Sequence, residues 1–185
     1  MPAQSAVFLH GIPGSARTWD TLIGPAINVV GHACAPTLPG FGGVPVPGGF
    51  GCLLSPSFRP TIDTYARWLG QQLDEQGVQR AHLVMHDFGG PVGLAWGAAH
   101  PDRLASLTCI NTGILTNYRW NILTRLWRKR WIGETLNAMI TQQVFELLTS
   151  HHQPRPLPRP AQDQLFHDFP PSARRNALAL YRATP

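Results

Sequence analysis

Short apolar runs recur at intervals over the first 113 residues of the chain. Residues 6–9, 81–85 and 104–110 are each rich in Val, Leu, Ile, Met and Ala, and each is followed by polar residues or glycine. Runs of this length predict buried strands. A further strand is predicted at residues 27–35, after a short helix at residues 19–23.

Helical spacing is found between these runs. Thr61 is a good N-cap residue, and apolar side chains follow it three to four positions apart, at Ile62, Ala66, Leu69 and Leu73. Residues 91–100 are rich in Ala, Gly, Leu and Trp and predict a buried helix. The alternation of strands and helices predicts an α/β fold with a doubly wound, mostly parallel sheet.

The pattern changes after residue 113. Residues 121–130 and 134–148 predict helices, residues 151–160 form a Pro-rich link, and Ser172 is predicted to cap a last helix that ends near residue 182. We therefore expect an N-terminal sheet domain over residues 1–113 and a helical cap over residues 114–185.

Composition excludes several classes of protein. Hydrophobic residues make up 43% of the 185 positions and charged residues 14%, which excludes a disordered chain. The first five residues carry no basic side chain, so we expect no signal peptide and a cytoplasmic location. Cys34 and Cys109 lie in predicted strands and are expected to be buried thiols, with Cys52 in a loop. Neither a metal site nor a cofactor is indicated.

Charge is distributed unevenly along the chain. Residues 1–113 carry five Arg and six acidic residues, whereas residues 114–185 carry ten basic and four acidic residues. The basic positions alternate with Trp120, Trp127, Trp131 and Leu126, which is typical of an amphipathic helix whose charges face water. We therefore expect no nucleic acid as a partner. No apolar run approaches the roughly 20 residues of a membrane span, so we expect no membrane partner either. A basic cap that binds nucleic acid or an anionic surface remains the third alternative, and the oligomeric state is left open.

The most informative segment is HDFGG, residues 86–90, at the end of a predicted strand. An apolar strand that delivers Asp87 into a glycine pair is typical of a nucleophile on a sharp strand-to-helix turn. Such a turn lifts the carboxylate above the strand ends, near the free N–H groups of the next helix. The alternative, a plain helix N-cap without chemistry, remains open at this point.

Two further motifs follow earlier predicted strands in the same order. They are HGIPGS at residues 10–15 and LPGFG at residues 38–42. Together the three motifs resemble the α/β-hydrolase family, specifically the Asp-nucleophile branch that contains haloalkane dehalogenases and epoxide hydrolases. The resemblance is close over residues 5–113 and looser over the helical cap.

The resemblance implies a hydrolase of a small apolar substrate, an epoxide, haloalkane or ester. Asp87 would attack it and form a covalent ester that water then cleaves. The family pattern places an oxyanion hole at the backbone N–H groups of Ile12 and Phe88. Gly11 and Pro13 would shape the loop that carries Ile12, and His10 would orient that loop.

Some positions depart from the family pattern. Dehalogenases usually have Trp where this chain has Phe88, and Asn or Glu where it has Ile12, so the halide-binding donors are missing. Epoxide hydrolases use tyrosines of the cap as acids. Tyr181 resembles one of these and Tyr118 is a weaker candidate for the other, although Tyr181 could equally be a packing residue.

The family also has a catalytic His and an acidic residue late in the domain, and here Asn111 occupies one of the two places for the acid. We expect from this pattern that the core is incomplete, that the chain is truncated at both ends, and that it is inactive or impaired. The alternative is a non-catalytic protein of the same fold that binds a ligand or a partner.

Overall fold

Four parallel strands form the central sheet of the described part of the chain, residues 4–47, 58–112, 119–150 and 157–184 of this computed structural model. The strands are β1 Gln4–Leu9, β2 Ala33–Cys34, β3 Arg80–His86 and β4 Leu104–Ile110, in the order β2-β1-β3-β4. All neighbouring pairs are parallel, so that their carboxyl ends lie at one edge of the sheet. The predicted α/β fold with a parallel sheet is confirmed.

Helices cover both faces of this sheet. On one face, α2 (Ile62–Glu75) and α3 (Gly89–Ala99) pack over the fully buried side chains of alternate strand positions, among them Val7, Leu83 and Met85. On the other face, α1 (Asp20–Val30) covers Ala6 and Phe8. Successive side chains of β1 therefore belong alternately to two separate apolar clusters, because neighbouring residues of a strand point to opposite faces of the sheet.

The predicted strand at residues 27–35 is wrong. Residues 27–30 are the last turn of α1, and only Ala33 and Cys34 are extended. Ile23, Ala26 and Val30 lie at helical spacing and pack against the cluster beneath α1. Gly31 ends the helix in the left-handed region, φ +81°, and donates to the Ile27 carbonyl. Packing of the helical face thus outweighs the strand preference of Ile and Val.

Five helices follow the sheet in the described residues. They are α4 Ile122–Trp127, α5 Ile132–Met139, α6 Gln142–Ser150, α7 Arg159–His167 and α8 Pro171–Ala183. We call them the helical region. The single helix predicted over residues 134–148 is wrong, because extended backbone at Ile140 separates α5 from α6.

The end of the helical region also differs from expectation. Helix α7 begins within the predicted link and was not predicted. Ser172 does not cap α8. Pro170 is the N-cap residue, no side chain caps the helix, and a second proline, Pro171, occupies its first position, where its missing N–H costs nothing.

Buried polar contacts join the helical region to α2 and to loops of the sheet domain. The Asn176 amide of α8 donates to the Tyr65 hydroxyl at 2.7 Å, and that hydroxyl donates to the Pro39 carbonyl at 2.8 Å. Burial raises the pKa of Tyr65, so the hydroxyl stays protonated and can donate. Ser15 donates to the buried Asp168 carboxylate at 2.5 Å. These contacts fix α8 relative to the carboxyl ends of the strands.

Strand β4 is the least covered strand. Its residues from Ser106 to Ile110 are exposed, because β4 lies at an edge of the described sheet. The prediction of a buried thiol is therefore wrong for Cys109, which is exposed. Cys34 is half-buried, and burial raises the pKa of its thiol to about 11. Cys52 lies outside the described residues. No described helix is both long and apolar enough to cross a bilayer.

Candidate active site

Asp87 occupies a sharp turn between β3 and α3. Its φ is +46°, a left-handed conformation that residues with a Cβ rarely adopt. Three hydrogen bonds hold the turn. Its amide donates to the Ile110 carbonyl at 3.4 Å, and its carbonyl accepts from the Gly90 amide at 2.9 Å and from the Thr112 hydroxyl at 2.5 Å. Strained backbone that is held this firmly is characteristic of functional sites.

Glycines make room for this turn. A Cβ on Gly89 would lie 2.5 Å from the Leu9 carbonyl oxygen, and one on Gly90 would overlap the Thr112 side chain. A Cβ on Gly11 would lie 2.5 Å from the Cβ of Asp87. The glycines of two separate motifs therefore allow the loop after β1 to approach the Asp87 side chain.

The loop after β1 supplies a hydrogen-bond donor to the carboxylate. The Ile12 amide donates to Oδ2 of Asp87 at 2.8 Å. Pro13, the next residue, is joined to Ile12 by a cis peptide bond. Among the described residues, no hydrogen bond is made to Oδ1. The structure therefore places the loop of Gly11 and Ile12 beside the Asp87 side chain, and one carboxylate oxygen has no hydrogen-bond partner among the described residues.

His10 lies beneath this loop and is fully buried. Its Nδ1 is 2.8 Å from the Gly11 carbonyl, and its Nε2 accepts from the Leu38 amide at 2.9 Å. Because Nε2 accepts, the ring proton is on Nδ1 and the imidazole is neutral. Burial lowers the pKa of His10 to about 4, which favours this state. His10 thus links the loops of the first two motifs.

Aromatic rings lie beside the turn on the side of the helical region. The Tyr181 ring of α8 lies 4.6 Å from the Phe88 ring, centroid to centroid. The ring centroids of Trp120 and Trp127 lie 5.2 Å and 4.9 Å from that of Tyr181. We call Phe88, Trp120, Trp127 and Tyr181 the aromatic cluster. Tyr181 thus lies close to the turn, whereas Tyr118 falls outside the described residues.

No histidine of the described residues hydrogen-bonds Asp87. His86 precedes it on β3, while His82, on the same strand, bonds Ser106 and Gln4. His151 and His152 lie outside the described residues. Within the same part of the chain no group of three or more His, Cys, Asp or Glu could hold a metal ion.

Sequence reasoning missed three contributors to this site. Thr112 supports the Asp87 carbonyl, and its place just after β4 is a usable signal, because adjacent parallel strands end side by side. Trp120 and Trp127 belong to the aromatic cluster, although their alternation with basic residues suggested only an amphipathic helix. No local pattern indicates that α8 brings Tyr181 to Phe88.

A family model settles the broader relationship. The model described as the alpha/beta hydrolase fold matches residues 7–171, most of the chain. The chain belongs to this family. The match extends through the three motif loops and into the helical region, and it confirms the resemblance stated from the motifs.

Relatives of this α/β-hydrolase include enzymes of the expected branch. A haloalkane dehalogenase of Psychrobacter cryohalolentis is 30% identical over 115 residues, which is 62% of this chain and 35% of the relative. An uncharacterized hydrolase of Saccharomyces cerevisiae is 26% identical over 126 residues, 66% of this chain and 40% of the relative. The matches thus span well under half of these relatives.

Solved structures show the same fold. A haloalkane dehalogenase loop variant from Bradyrhizobium elkanii superposes with a TM-score of 0.76 at 22% identity, covering 99% of this chain and 62% of the other. A mutant of a presumed epoxide hydrolase from Pseudomonas aeruginosa gives 0.78 at 18% identity, covering 98% and 63%. The chain is a hydrolase-fold protein related to haloalkane dehalogenases.

Proposed function

We propose that Asp87 is a nucleophile that attacks an electrophilic carbon of a small apolar substrate, an epoxide or a haloalkane. The observation that supports this most strongly is the Ile12 amide 2.8 Å from Oδ2 of a carboxylate on a strained turn. A plain helix N-cap does not account for it, because the donor comes from a different loop, 75 residues earlier in the chain. An ester substrate fits less well, because a carboxylate that attacks an acyl carbon gives an anhydride.

The proposed first step uses the two carboxylate oxygens differently. Oδ1 attacks the carbon, and the bond from that carbon to the epoxide oxygen or the halogen breaks with its electron pair. Oδ2 becomes the carbonyl oxygen of the new ester and keeps the Ile12 hydrogen bond. In a subsequent hydrolysis the same oxygen carries the negative charge of the tetrahedral intermediate, where a donor at 2.7–3.1 Å is most effective.

The aromatic cluster forms the proposed substrate side of the turn. Phe88 follows Asp87 in the chain and its ring packs against the Tyr181 ring, so the surroundings of the turn are apolar, which favours an apolar substrate over a charged one. Tyr181 is the proposed acid that protonates an epoxide oxygen as the ring opens. Phe88 cannot donate a hydrogen bond to a departing halide, so we place epoxides ahead of haloalkanes.

We further propose that hydrolysis of the ester by this chain is slow. Water attack on the ester needs a general base within hydrogen-bond reach. Among the described histidines, His10 is bonded at both ring nitrogens, and none bonds Asp87. The ester should therefore accumulate to about one equivalent.

Intact-mass spectrometry with a panel of small epoxides and haloalkanes tests the proposal. An epoxide should add its whole mass, and a haloalkane its mass less the hydrogen halide. Treatment with hydroxylamine should remove the adduct, because hydroxylamine cleaves esters but not the thioether that the exposed Cys109 would form. Persistence of every adduct after hydroxylamine would contradict the nucleophile assignment.

A second candidate function, ligand binding without chemistry, is favoured because no histidine of the described residues hydrogen-bonds Asp87. It predicts that an apolar ligand raises the midpoint of thermal unfolding without any change of mass. Tyr181→Ala should abolish this shift, whereas Asp87→Asn should leave it unchanged.

A further inference from the structure

Helices α4 and α5, with the turn between them, carry exposed apolar and basic side chains close together in the chain, between residues 122 and 132. The apolar members are Ile122, Leu123, Leu126, Trp131 and Ile132, and the basic members are Arg125, Lys129 and Arg130; all eight are exposed. We call these residues the α4–α5 face. Large apolar side chains that are exposed together, rather than singly, usually mark an interaction site.

The degree of exposure at this surface is high. Ile122 is 75% exposed and Trp131 is 72% exposed. Trp120 and Trp127, in the same segment, instead pack against the core. The alternation of basic and apolar residues in this segment predicted an amphipathic helix whose charges face water. The structure divides the segment differently, because only part of its apolar surface is used in packing.

The charge of this segment is uniformly positive. Between Asp102 and Glu134 the sequence contains six basic residues and no acidic one. Glu134 is already paired, since its carboxylate accepts two hydrogen bonds from Arg182 at 2.7 Å and 3.0 Å. That pairing lowers the pKa of Glu134 to about 2. The nearest acidic residue therefore does little to offset the charges of the face.

Apolar and basic groups are interleaved on a fixed scaffold. At about 100° per residue, Ile122, Leu126 and Leu123 fall within about a quarter to a third of the α4 circumference. The Arg130 guanidinium lies over the Trp131 ring at 5.1 Å. The carbonyls of Arg128 and Lys129 accept hydrogen bonds from Arg182 of α8 at 2.9 Å and 3.0 Å. The face is thus preformed.

We propose that the α4–α5 face binds the surface of an anionic lipid bilayer. Apolar side chains of this kind enter the boundary between headgroups and acyl chains, and Trp is favoured at that depth. Clustered Lys and Arg are attracted to the negative headgroups around them. The phosphates of a nucleic acid would pair with the basic side chains but leave Ile122, Leu123 and Ile132 in water. A nucleic acid therefore accounts for the charges of the face but not for its apolar side chains.

Vesicle sedimentation with the full chain tests this inference. The chain should bind vesicles of phosphatidylcholine that contain a minority of phosphatidylserine, and bind phosphatidylcholine alone at least tenfold more weakly. Three basic residues that all reach the headgroups would give roughly a hundredfold difference. Binding should weaken as salt is added, but a part should survive because the apolar contacts are not screened.

Matched variants separate the two contributions. The triple change Arg125→Glu, Lys129→Glu, Arg130→Glu should lower the partition constant roughly a hundredfold. The same charge change at the exposed Arg17, Arg59 and Arg67 of the sheet domain should alter it by less than about threefold. Trp131→Ala should weaken binding roughly tenfold, whereas Val29→Ala, at an 84% exposed valine on α1, should not.

Circular dichroism of each variant confirms that it is folded before its binding is compared. Equal binding to both vesicle types, or equal effects of the two triple changes, would overturn the proposal. Binding to single-stranded nucleic acid that exceeds vesicle binding and is unaffected by Trp131→Ala would replace it with a nucleic-acid surface.

Discussion

Asp87 and Asn111 follow neighbouring parallel strands and share one backbone conformation, with φ of +46° and +45°. Their surroundings differ. Asp87 receives the Ile12 amide on its carboxylate and lies against glycines and the aromatic cluster, whereas Asn111 is exposed. The left-handed turn is therefore a property of where these strands end. What distinguishes a candidate nucleophile is the loop and the glycines around it.

The end of β4 also supports the end of β3 through hydrogen bonds. Residues of the β4 end support the Asp87 backbone, through the Ile110 carbonyl and the Thr112 hydroxyl. Among the described residues, no hydrogen bond from the β3 end gives Asn111 comparable support. The β4 end thus serves as a scaffold for the β3 end, which explains why Thr112 matters to a site centred on another strand.

The largest expected effect comes from exchanging the side chains at these two turns. Asp87→Asn should abolish the hydroxylamine-sensitive adduct entirely, because an amide oxygen does not displace a halide or open an epoxide at a useful rate. Asn111→Asp places a carboxylate in the same backbone conformation but without the Ile12 donor. That variant, in an Asp87→Asn background, should form no adduct, as measured by intact mass. An adduct in the double variant would show that the turn alone suffices.

A second effect concerns the pH dependence of stability. It arises at His10, beneath the loop after β1 that contacts Asp87 but not Asn111. The pKa of His10 falls from 6.5 to about 4 on burial, so the unfolded chain binds a proton that the folded chain does not. The stability from this group is complete above pH 6.5 and is lost as the pH falls through 4. The full loss is about 3 kcal/mol in the free energy of unfolding.

Urea unfolding at a series of pH values measures this effect. His10→Gln keeps a buried polar group but removes the titration, so the slope of stability against pH between 6.5 and 4 should fall by about one proton. An unchanged slope in the variant would assign the pH dependence to another group.

A third effect separates steric clash from backbone strain. Gly89→Ala puts a Cβ 2.5 Å from the Leu9 carbonyl oxygen and should lower the free energy of unfolding by about 2–3 kcal/mol. Gly43→Ala meets no atom within 4 Å but has φ +81°, and should cost only about 1 kcal/mol. Chemical denaturation compares the two. Equal losses would mean that the strands tolerate the clash by moving apart.

The smallest effect is expected at the exposed turn. Asn111→Gly should change the free energy of unfolding by less than about 0.5 kcal/mol, because relief of the left-handed backbone is offset by the greater freedom of glycine in the unfolded chain. Asn111→Ala should lower it by about 1 kcal/mol. A loss larger than this for either variant, measured by urea unfolding, would indicate that the Asn111 side chain has a structural partner.

The sheet and the turn were predictable because local signals and long-range packing agree there. Apolar runs, the Thr61 cap and the glycine pair after Asp87 each specify the local backbone conformation, and each of these conformations is the one that the parallel α/β fold requires. The strand predicted over residues 27–35 was wrong because β-branched residues, which favour strands, lie here in a helix. The prediction of a buried Cys109 was wrong because the burial of a strand depends on its position in the sheet, which the sequence of the strand does not reveal.

The helical region was harder to predict for a related reason. Its contacts with the sheet domain, such as Asn176 with Tyr65 and Tyr181 with Phe88, join residues about a hundred positions apart. No periodicity encodes such pairs. The α4–α5 face shows the same limit, since a helical pattern identifies an apolar arc but not how much of it is covered.

The most direct test of Asp87 as a nucleophile is to locate the adduct by peptide mapping. After incubation of the full chain with a small epoxide, proteolysis and tandem mass spectrometry should place the hydroxylamine-sensitive mass on Asp87, in the peptide that begins after Arg80 and ends at Arg103. A stable modification on Cys109 or His86 instead, with Asp87 unmodified, would contradict the account.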